Sequence, residues 1–175
     1  MAHVKVVRRS MRPEEWTDLR FVWLQRGIYE EKFEITDLEI RDARQISEDQ
    51  YEYYSDEYRP LKKDDMYFTP DGTAFIRGHV QIPAHMKGKN IYFTLHTAAE
   101  MIVKINGKYV GGVDPNRERI LLNPYIDSDD LTIEIEAYNR SKPDDERNPA
   151  SLAHRGCRQI FEGAYLSTIR DNVQS

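Results

Sequence analysis

The pair Asn106-Gly107 constrains the fold more than any other feature of this sequence. It stands between two runs in which apolar and polar residues alternate. Asn followed by Gly favours a two-residue type I′ hairpin turn, because both central residues of that turn need a positive φ. Residues 90–122 are therefore predicted to form a strand, a hairpin and a further strand at the centre of an all-β pattern.

The two-residue turn also predicts which side chains face each other across the hairpin. Val103 should lie opposite Val110 on the buried side, and Lys104 should lie opposite Tyr109 on the solvent side. The Gly-Gly pair at 111–112 favours a bulge or a close backbone approach just beyond the turn. The hairpin is thus expected to present one long-chain cation beside one aromatic ring.

Three further segments alternate with the period of two that is typical of half-buried strands. They are residues 73–82, 91–96 and 131–138, and Pro83 should end the first of them. The apolar members are expected to share one core: Ala74, Ile76, Val80, Ile82, Ile91, Phe93, Leu95, Leu131, Ile133, Ile135 and Ala137. Tyr92, Thr94 and His96 should face outward.

The remaining segments are less regular. The apolar residues change from odd positions (Phe33, Ile35) to even positions (Leu38, Ile40) near Thr36-Asp37. This change predicts a break or a bulge there. Residues 48–71 are rich in tyrosine and charge and are predicted to form a long, partly extended loop, whose tyrosines either stack on sugar rings or lie across a sheet edge. The last strand, within 158–169, is apolar on both sides and should be covered on both faces.

The N-terminal part of the chain has a different period. Trp16, Leu19 and Trp23 recur at helical spacing, so residues 13–30 are predicted to form an α-helix. Seven or so strands with regular turn signals indicate a β-sandwich. The domain division that follows is a helical lead-in over 1–31, a β-sandwich over 32–171 and a short tail over 172–175.

Composition excludes several classes of function. The net charge of −5 argues against a nucleic-acid partner, and no run of about 18 apolar residues that could span a membrane occurs. The N-terminus lacks the apolar core of a secretory signal. The single cysteine, Cys157, excludes an internal disulfide and fits a reducing compartment, so the expected location is the cytoplasm.

No catalytic or metal-binding constellation is apparent. The five histidines lack metal spacing, although His79 and His96 could meet across paired strands. The run Asp127-Ser128-Asp129-Asp130 resembles a calcium loop only loosely. We predict no catalytic residue and no metal site. The predicted contacts with a sugar or a neighbouring domain are Tyr92, His96, Lys104, Tyr109 and Asp114.

Several segments resemble a known family. They are GTAFIRGHVQIP (72–83), IVKINGKYVGGVDPNRERILL (102–122), LTIEIEAYNR (131–140) and RGCRQIFEGAYLSTI (155–169). Together they resemble the N-terminal domain of class II α-mannosidases of the yeast-vacuolar and bacterial type. The hairpin is also similar to that of sugar-binding domains in β-galactosidase-like enzymes. Arg117 departs from the family pattern, which often has His there.

The resemblance implies a galactose-binding-like jelly roll that precedes the catalytic domain and packs on it. It implies that zinc or another divalent metal belongs to that catalytic domain, whose His-x-Asp motif this chain lacks, so no cofactor is expected here. The surface against the catalytic domain is expected to include Arg155, Phe161, Glu162 and Tyr165. A homo-oligomer is also expected. The alternative function is an autonomous carbohydrate-binding module or the sugar-binding domain of a β-galactosidase-like enzyme.

Overall fold

The computed structural model describes residues 28–65, 72–96, 99–114, 117–138 and 161–170, and within these the fold is all-β. The strands are β1 (Tyr29–Ile35), β2 (Asp37–Ser47), β3 (Gln50–Tyr53), β4 (Arg59–Pro60), β5 (Thr73–Gln81), β6 (Ile91–Leu95), β7 (Glu100–Ile105), β8 (Lys108–Val113), β9 (Arg119–Leu121), β10 (Asp130–Tyr138) and β11 (Ala164–Ile169). Short 3₁₀ turns cover Ala84–Met86 and Asn123–Tyr125. No helix in this part of the chain has the length and apolarity needed to cross a membrane.

The strands form two antiparallel sheets packed as a sandwich. The four-stranded sheet has the order β1-β11-β6-β9, and the seven-stranded sheet has the order β3-β2-β5-β10-β7-β8, with β4 paired to β2. This arrangement confirms the predicted β-sandwich.

One hydrophobic core fills the space between the sheets. Every apolar residue predicted to face inward on the three alternating segments is buried there. The period of two is therefore a reliable guide in these strands, because one face of each strand packs on the opposite sheet.

The chain passes from one sheet to the other at Thr36. β1 belongs to the four-stranded sheet and β2 to the seven-stranded sheet, so the predicted break between them is confirmed. The change of parity has a physical cause: Ile35 and Leu38 must both enter the same core from opposite sheets.

β2 lies unusually close to β5 at Gly78. A Cβ atom added at Gly78 would lie 2.4 Å from the carbonyl oxygen of Asp37 and 2.4 Å from Cδ2 of Leu38. Only a residue without a Cβ atom fits between these strands.

The central hairpin has the predicted turn but a different register beyond it. Asn106 and Gly107 both have positive φ (50° and 74°), and Lys104 pairs with Tyr109 as expected. The predicted pairing of Val103 with Val110 is wrong, because Val103 pairs with Gly111 and Val110 is the extra residue of a bulge.

The bulge allows two valines of β8 to reach the core. An unbroken period of two would put Val110 and Val113 on opposite faces of β8, yet both are buried. The extra residue resolves this conflict. Gly111 adopts a φ of 150° and lies against Ile120, whose Cδ1 would be 3.4 Å from a Cβ atom added at the glycine.

β11 is an interior strand of the four-stranded sheet and is buried on both faces, as predicted. Its neighbour Thr94 was expected to face solvent. Thr94 does lie on the side away from the core but is fully buried, and its hydroxyl is 2.6 Å from the hydroxyl of Ser167. The pair satisfies two polar groups that would otherwise be costly to bury.

Two irregular segments differ from the predictions. Tyr29 and Glu30 begin β1, so the predicted helix does not extend to residue 30, and residues 13–27 lie outside the described residues. Within the predicted loop over 48–71, β3 and β4 pair with β2.

Candidate functional site

The predicted contact residues fall on different faces of the sandwich. Tyr92 lies on β6 and His96 directly follows it, in the four-stranded sheet. Lys104 and Tyr109 lie on β7 and β8 of the seven-stranded sheet. Asp114 directly follows β8. The structure thus divides one predicted set into two separate surfaces.

On the four-stranded sheet, charged side chains surround His96. Its Nδ1 lies 2.9 Å from Oε2 of Glu118, and its Nε2 lies 3.5 Å from Nζ of Lys32. The Lys32 ammonium also lies 4.4 Å from the ring centre of Tyr29 and 5.3 Å from that of Tyr165. These contacts hold the side chains to one another across the face.

The residues expected to contact a catalytic domain differ in exposure. Glu162 is exposed, and its backbone carbonyl accepts a 3.1 Å hydrogen bond from the Tyr165 hydroxyl. Phe161 is only 1% exposed and packs in the core of the sandwich itself. Its backbone bonds to Asp64 and Asp65. Phe161 therefore anchors the segment before β11, and Arg155 lies outside the described residues.

Among the described residues, His79 and His96 do not converge on one site. His79 and His96 belong to different sheets, so they cannot meet across paired strands. His79 Nε2 instead lies 2.5 Å from Oδ1 of Asp130. In the described ranges, no group of three His, Cys, Asp or Glu side chains is placed to hold a metal ion.

The acidic run after the second 3₁₀ turn is dispersed among separate partners. Asp127 accepts hydrogen bonds from Lys108 and Asn106, at 2.9 and 3.0 Å, and Asp129 pairs with Lys87. The hydrogen bonds from Lys108 and Asn106, in that order, lower the pKa of Asp127. These carboxylates tie neighbouring turns together.

Asp114 has a similar structural role. Its Oδ1 accepts a 3.0 Å hydrogen bond from the backbone N–H of Arg117, and its Oδ2 accepts a 3.1 Å bond from the Arg117 Nε. The two residues also form an isolated backbone bridge. Arg117, which departs from the family pattern, thus closes the loop after β8.

A groove crosses the outer face of the seven-stranded sheet and brings several functional groups together. Its volume is about 250 Å³, and we call it the outer groove. It is lined by Tyr58, Phe75, Ile76, Arg77, Ile102, Lys104, Tyr109, Glu134, Ile135 and Glu136. Cross-strand pairing sets charges of alternating sign in one row, in the order Glu39, Arg77, Glu134, Lys104, followed by Tyr109.

One tyrosine from the predicted loop, Tyr58, lines the outer groove. The guanidinium of Arg77 lies 3.9 Å from the ring centre of Tyr58 and that of Arg41 lies 4.8 Å from it. Arg77 also donates two hydrogen bonds, of 2.8 and 2.7 Å, to Oε2 of Glu39. Tyr58 and Arg77 therefore hold fixed positions.

A second tyrosine fixes Glu136. The hydroxyl of Tyr51 donates a 2.5 Å hydrogen bond to Glu136, and the Tyr51 ring meets the Phe75 ring edge-on at 4.9 Å. The hydrogen bond to Glu136 is the main cause that raises the pKa of Tyr51 to about 12. At neutral pH this phenol therefore stays protonated and keeps donating.

Sequence reasoning found Lys104 and Tyr109, included Tyr58 only among several loop tyrosines, and missed Arg77 and Glu134. The alternating pattern places Arg77 and Glu134 on outward faces. It does not reveal that β5 and β10 are neighbours, because the two strands are distant in sequence. Nothing in the sequence distinguishes Tyr58 from the other tyrosines close to it.

A second, larger cavity of about 500 Å³ lies where the chain crosses between the sheets. Its apolar lining includes Ile35, Val80 and Ile82, together with Phe33, which is 40% exposed. Asp37 and His79 contribute polar lining. None of the predicted contact residues lies there.

Comparison with known proteins gives only distant likenesses. No family model matches the sequence, and no curated protein is similar enough to count as a match. Among solved structures, the chain is similar to β-D-glucuronidase from Dictyoglomus thermophilum, with 16% identity and a TM-score of 0.45. It is also similar to a calcium-binding mutant of β-glucuronidase 2 from Bacteroides uniformis, with 17% identity and a TM-score of 0.47.

The alignments cover 81% and 78% of this chain but only 29% and 18% of those enzymes. The chain thus spans less than a third of either structure. At this identity and TM-score, the likeness does not carry a functional assignment.

Proposed function

We propose that this chain is a non-catalytic β-sandwich domain of a glycosidase, and that the glycosidase acts on α-mannosides. The observation that carries the proposal is the position, in the fold, of the segments that resemble the α-mannosidase N-terminal domain. They contribute β5, the β7–β8 hairpin, β10 and β11, which include interior strands of both sheets. The family likeness therefore lies in the framework of the sandwich.

The chemistry of the carboxylates supports a non-catalytic role. Glycoside hydrolysis uses two carboxyl groups on opposite sides of the scissile bond. In the outer groove, Glu134 and Glu136 stand side by side on β10, two residues apart, and so share one wall. Glu136 is also engaged by Tyr51. Such a pair suits binding better than acid–base catalysis.

The outer face of the four-stranded sheet is the proposed contact with the catalytic domain. Leu121 on β9 pairs with Tyr92 on β6 and is 37% exposed. Tyr165 and the exposed Glu162 lie at the β11 side of this sheet. One exposed leucine beside tyrosines and charged side chains suits the mixed apolar and polar character of an interdomain contact. Zinc or another divalent metal would belong to the catalytic domain.

The first test is an assay of the pure 175-residue chain with an aryl α-mannoside, with and without added Zn²⁺, Mn²⁺ or Co²⁺. The proposal predicts no turnover above the buffer blank. Turnover that persists through a second purification and is lost in a Glu134→Gln variant would contradict the non-catalytic role.

The second test addresses packing. A specific protease site placed after Ser175 in the longer polypeptide would separate the sandwich from the following domain. The proposal predicts that the two fragments still co-elute in gel filtration after cleavage. A Leu121→Lys change should separate them, whereas Tyr54→Lys, on the other sheet's side, should not. Independent elution of the unmodified fragments would contradict the proposed interface.

A further inference from the structure

We propose that the outer groove binds a single neutral hexopyranose residue of a glycan. This inference goes beyond the proposed function and does not depend on the identity of the parent enzyme. It is carried by the charges, the exposed apolar surface and the fixed side chains of the groove.

The charges in the groove favour a neutral ligand with many hydroxyl groups. Two cations, Arg77 and Lys104, face two carboxylates, Glu134 and Glu136. The balanced charges give no net attraction for an anion or a cation. Each carboxylate can accept hydrogen bonds from adjacent hydroxyls, and each cation can donate to a hydroxyl or ring oxygen. A sugar ring supplies both kinds of group within a few ångströms.

Exposed apolar surface lies beside these charges. Tyr109 is 67% exposed and Ile102 is 51% exposed, and both line the groove together with the ring of Tyr58. Aromatic and aliphatic surface of this kind suits the C–H face of a pyranose ring. The volume of about 250 Å³ lies below the range of drug-sized pockets and suits one monosaccharide.

Several of the polar groups are already held in place. Glu39 fixes Arg77 through two hydrogen bonds, and Tyr51 fixes Glu136. Less side-chain freedom is therefore lost when a ligand binds. Glu134 lies between Arg77 and Lys104 in the cross-strand register. It takes part in none of the ion pairs formed among the described residues, so its carboxylate can accept from a ligand.

The same groups disfavour a protein surface as the occupant. A protein covering the groove would take four charged groups out of water together, and such desolvation is costly unless each charge gains a matched partner. A sugar instead offers hydroxyl groups that can replace the hydrogen bonds of the displaced water. The carbohydrate is therefore the occupant that these side chains favour.

The test is a titration of the ¹⁵N-labelled 175-residue chain with methyl α-D-mannopyranoside, methyl β-D-galactopyranoside and sodium D-glucuronate, followed by NMR. We expect at least one neutral glycoside to bind with a dissociation constant on the order of millimolar, and glucuronate to bind more weakly. The shifted amides should belong to β5, β7, β8 and β10, the strands that line the groove.

Two variants probe the two halves of the groove. Tyr109→Ala removes apolar surface and Glu134→Gln removes an acceptor, and each should weaken binding by about fivefold or more. The matched control is Tyr54→Ala, which removes an exposed tyrosine outside the groove and should leave binding unchanged.

The inference is overturned if no neutral glycoside shifts any amide at about 50 mM, where a millimolar site would be saturated. It is also overturned if the shifts lie on the four-stranded sheet, or if Tyr109→Ala and Glu134→Gln bind as the unmodified chain does. Because this titration uses no catalytic domain, its failure leaves the outcome of the cleavage test unaffected, and the reverse also holds.

Discussion

The hydroxyl of Tyr51 lies 2.5 Å from Oε1 of Glu136, a carboxylate 85 residues further along the chain. Tyr51 is on β3, at one edge of the seven-stranded sheet, and Glu136 is on β10, with β2 and β5 between them. The tyrosine side chain thus reaches across the sheet and fixes a carboxylate that lines the outer groove. This contact links the stability of an edge strand to the geometry of the candidate site.

Removing this hydroxyl should destabilise the fold moderately. Tyr51→Phe keeps the ring against Phe75 but loses the hydrogen bond to Glu136, which should lower the free energy of unfolding by about 1 kcal/mol. Urea denaturation followed by far-ultraviolet circular dichroism measures the change. Tyr54→Phe, an exposed tyrosine without such a bond, is the control and should change nothing. An unaltered Tyr51→Phe midpoint would show that the bond does not stabilise the protein.

The same pair predicts an alkaline loss of stability. The pKa of Tyr51 is raised from its ordinary value of 10.0 to about 12, because the neutral phenol donates to Glu136. Its contribution is complete below the unfolded-state pKa and disappears as the pH rises from about 10 to about 12. The difference in unfolding free energy between the original protein and Tyr51→Phe should shrink across this window. A constant difference would contradict the assignment.

The turn at Asn106 should tolerate glycine better than alanine. Asn106 combines a positive φ with side-chain bonds to Asp127 and to the N–H of Thr132. Asn106→Ala loses both bonds and adds backbone strain, for a cost of about 2 kcal/mol. Asn106→Gly loses the bonds without the strain and should cost about half as much. Thermal unfolding of both variants distinguishes the two effects, and equal losses would argue against strain.

Gly78 should be the least replaceable glycine among those described. An alanine there would drive its Cβ into the Asp37 carbonyl oxygen at 2.4 Å, so we expect a loss of about 3 kcal/mol or more, or failure to fold. Gly88→Ala is the comparison, because its Cβ would meet open space and only its φ of 80° is unfavourable. That variant should lose about 1 kcal/mol. Similar stabilities for the two variants would contradict the close approach of β2 and β5.

The ion pair between Lys108 and Asp127 predicts how the pKa of the Asp127 carboxyl group responds to a substitution. Lys108 is the largest cause of the lowered pKa of Asp127. In Lys108→Met the pKa of Asp127 should rise toward its ordinary range, as measured by the ¹³C shift of its carboxyl carbon against pH. Lys104→Met, on the same hairpin but with no contact to Asp127 in any described ion pair, should leave that titration unchanged. An unchanged Asp127 in Lys108→Met would refute the pairing.

The inner residues of the sandwich could be predicted because their signal is local. Alternation along β5, β6 and β10 follows from one buried face, and the Asn106-Gly107 turn follows from backbone geometry. The bulge at Val110 could be anticipated only approximately, because its position depends on Val113 also needing the core. β3 and β4 were missed because none of their residues is buried, and their pairing is decided by β2.

The candidate site was harder to predict than the core. Lys104 and Tyr109 were found because a hairpin pairs residues that are close in sequence. Arg77 and Glu134 lie side by side only because β5 and β10 pair, although these two strands are far apart in sequence. Outward parity alone also allowed His79 and His96 to meet, but it does not tell which sheet a strand joins, and the two lie in different sheets.

The measurement that tests the central claim most directly is the sequence of the reading frame beyond the codon for Ser175. The proposed function predicts that the frame continues into a catalytic domain of several hundred residues with a His-x-Asp motif near its start. A stop codon directly after Ser175, or a following domain unrelated to glycosidases, would contradict the proposal that this sandwich is part of an α-mannosidase.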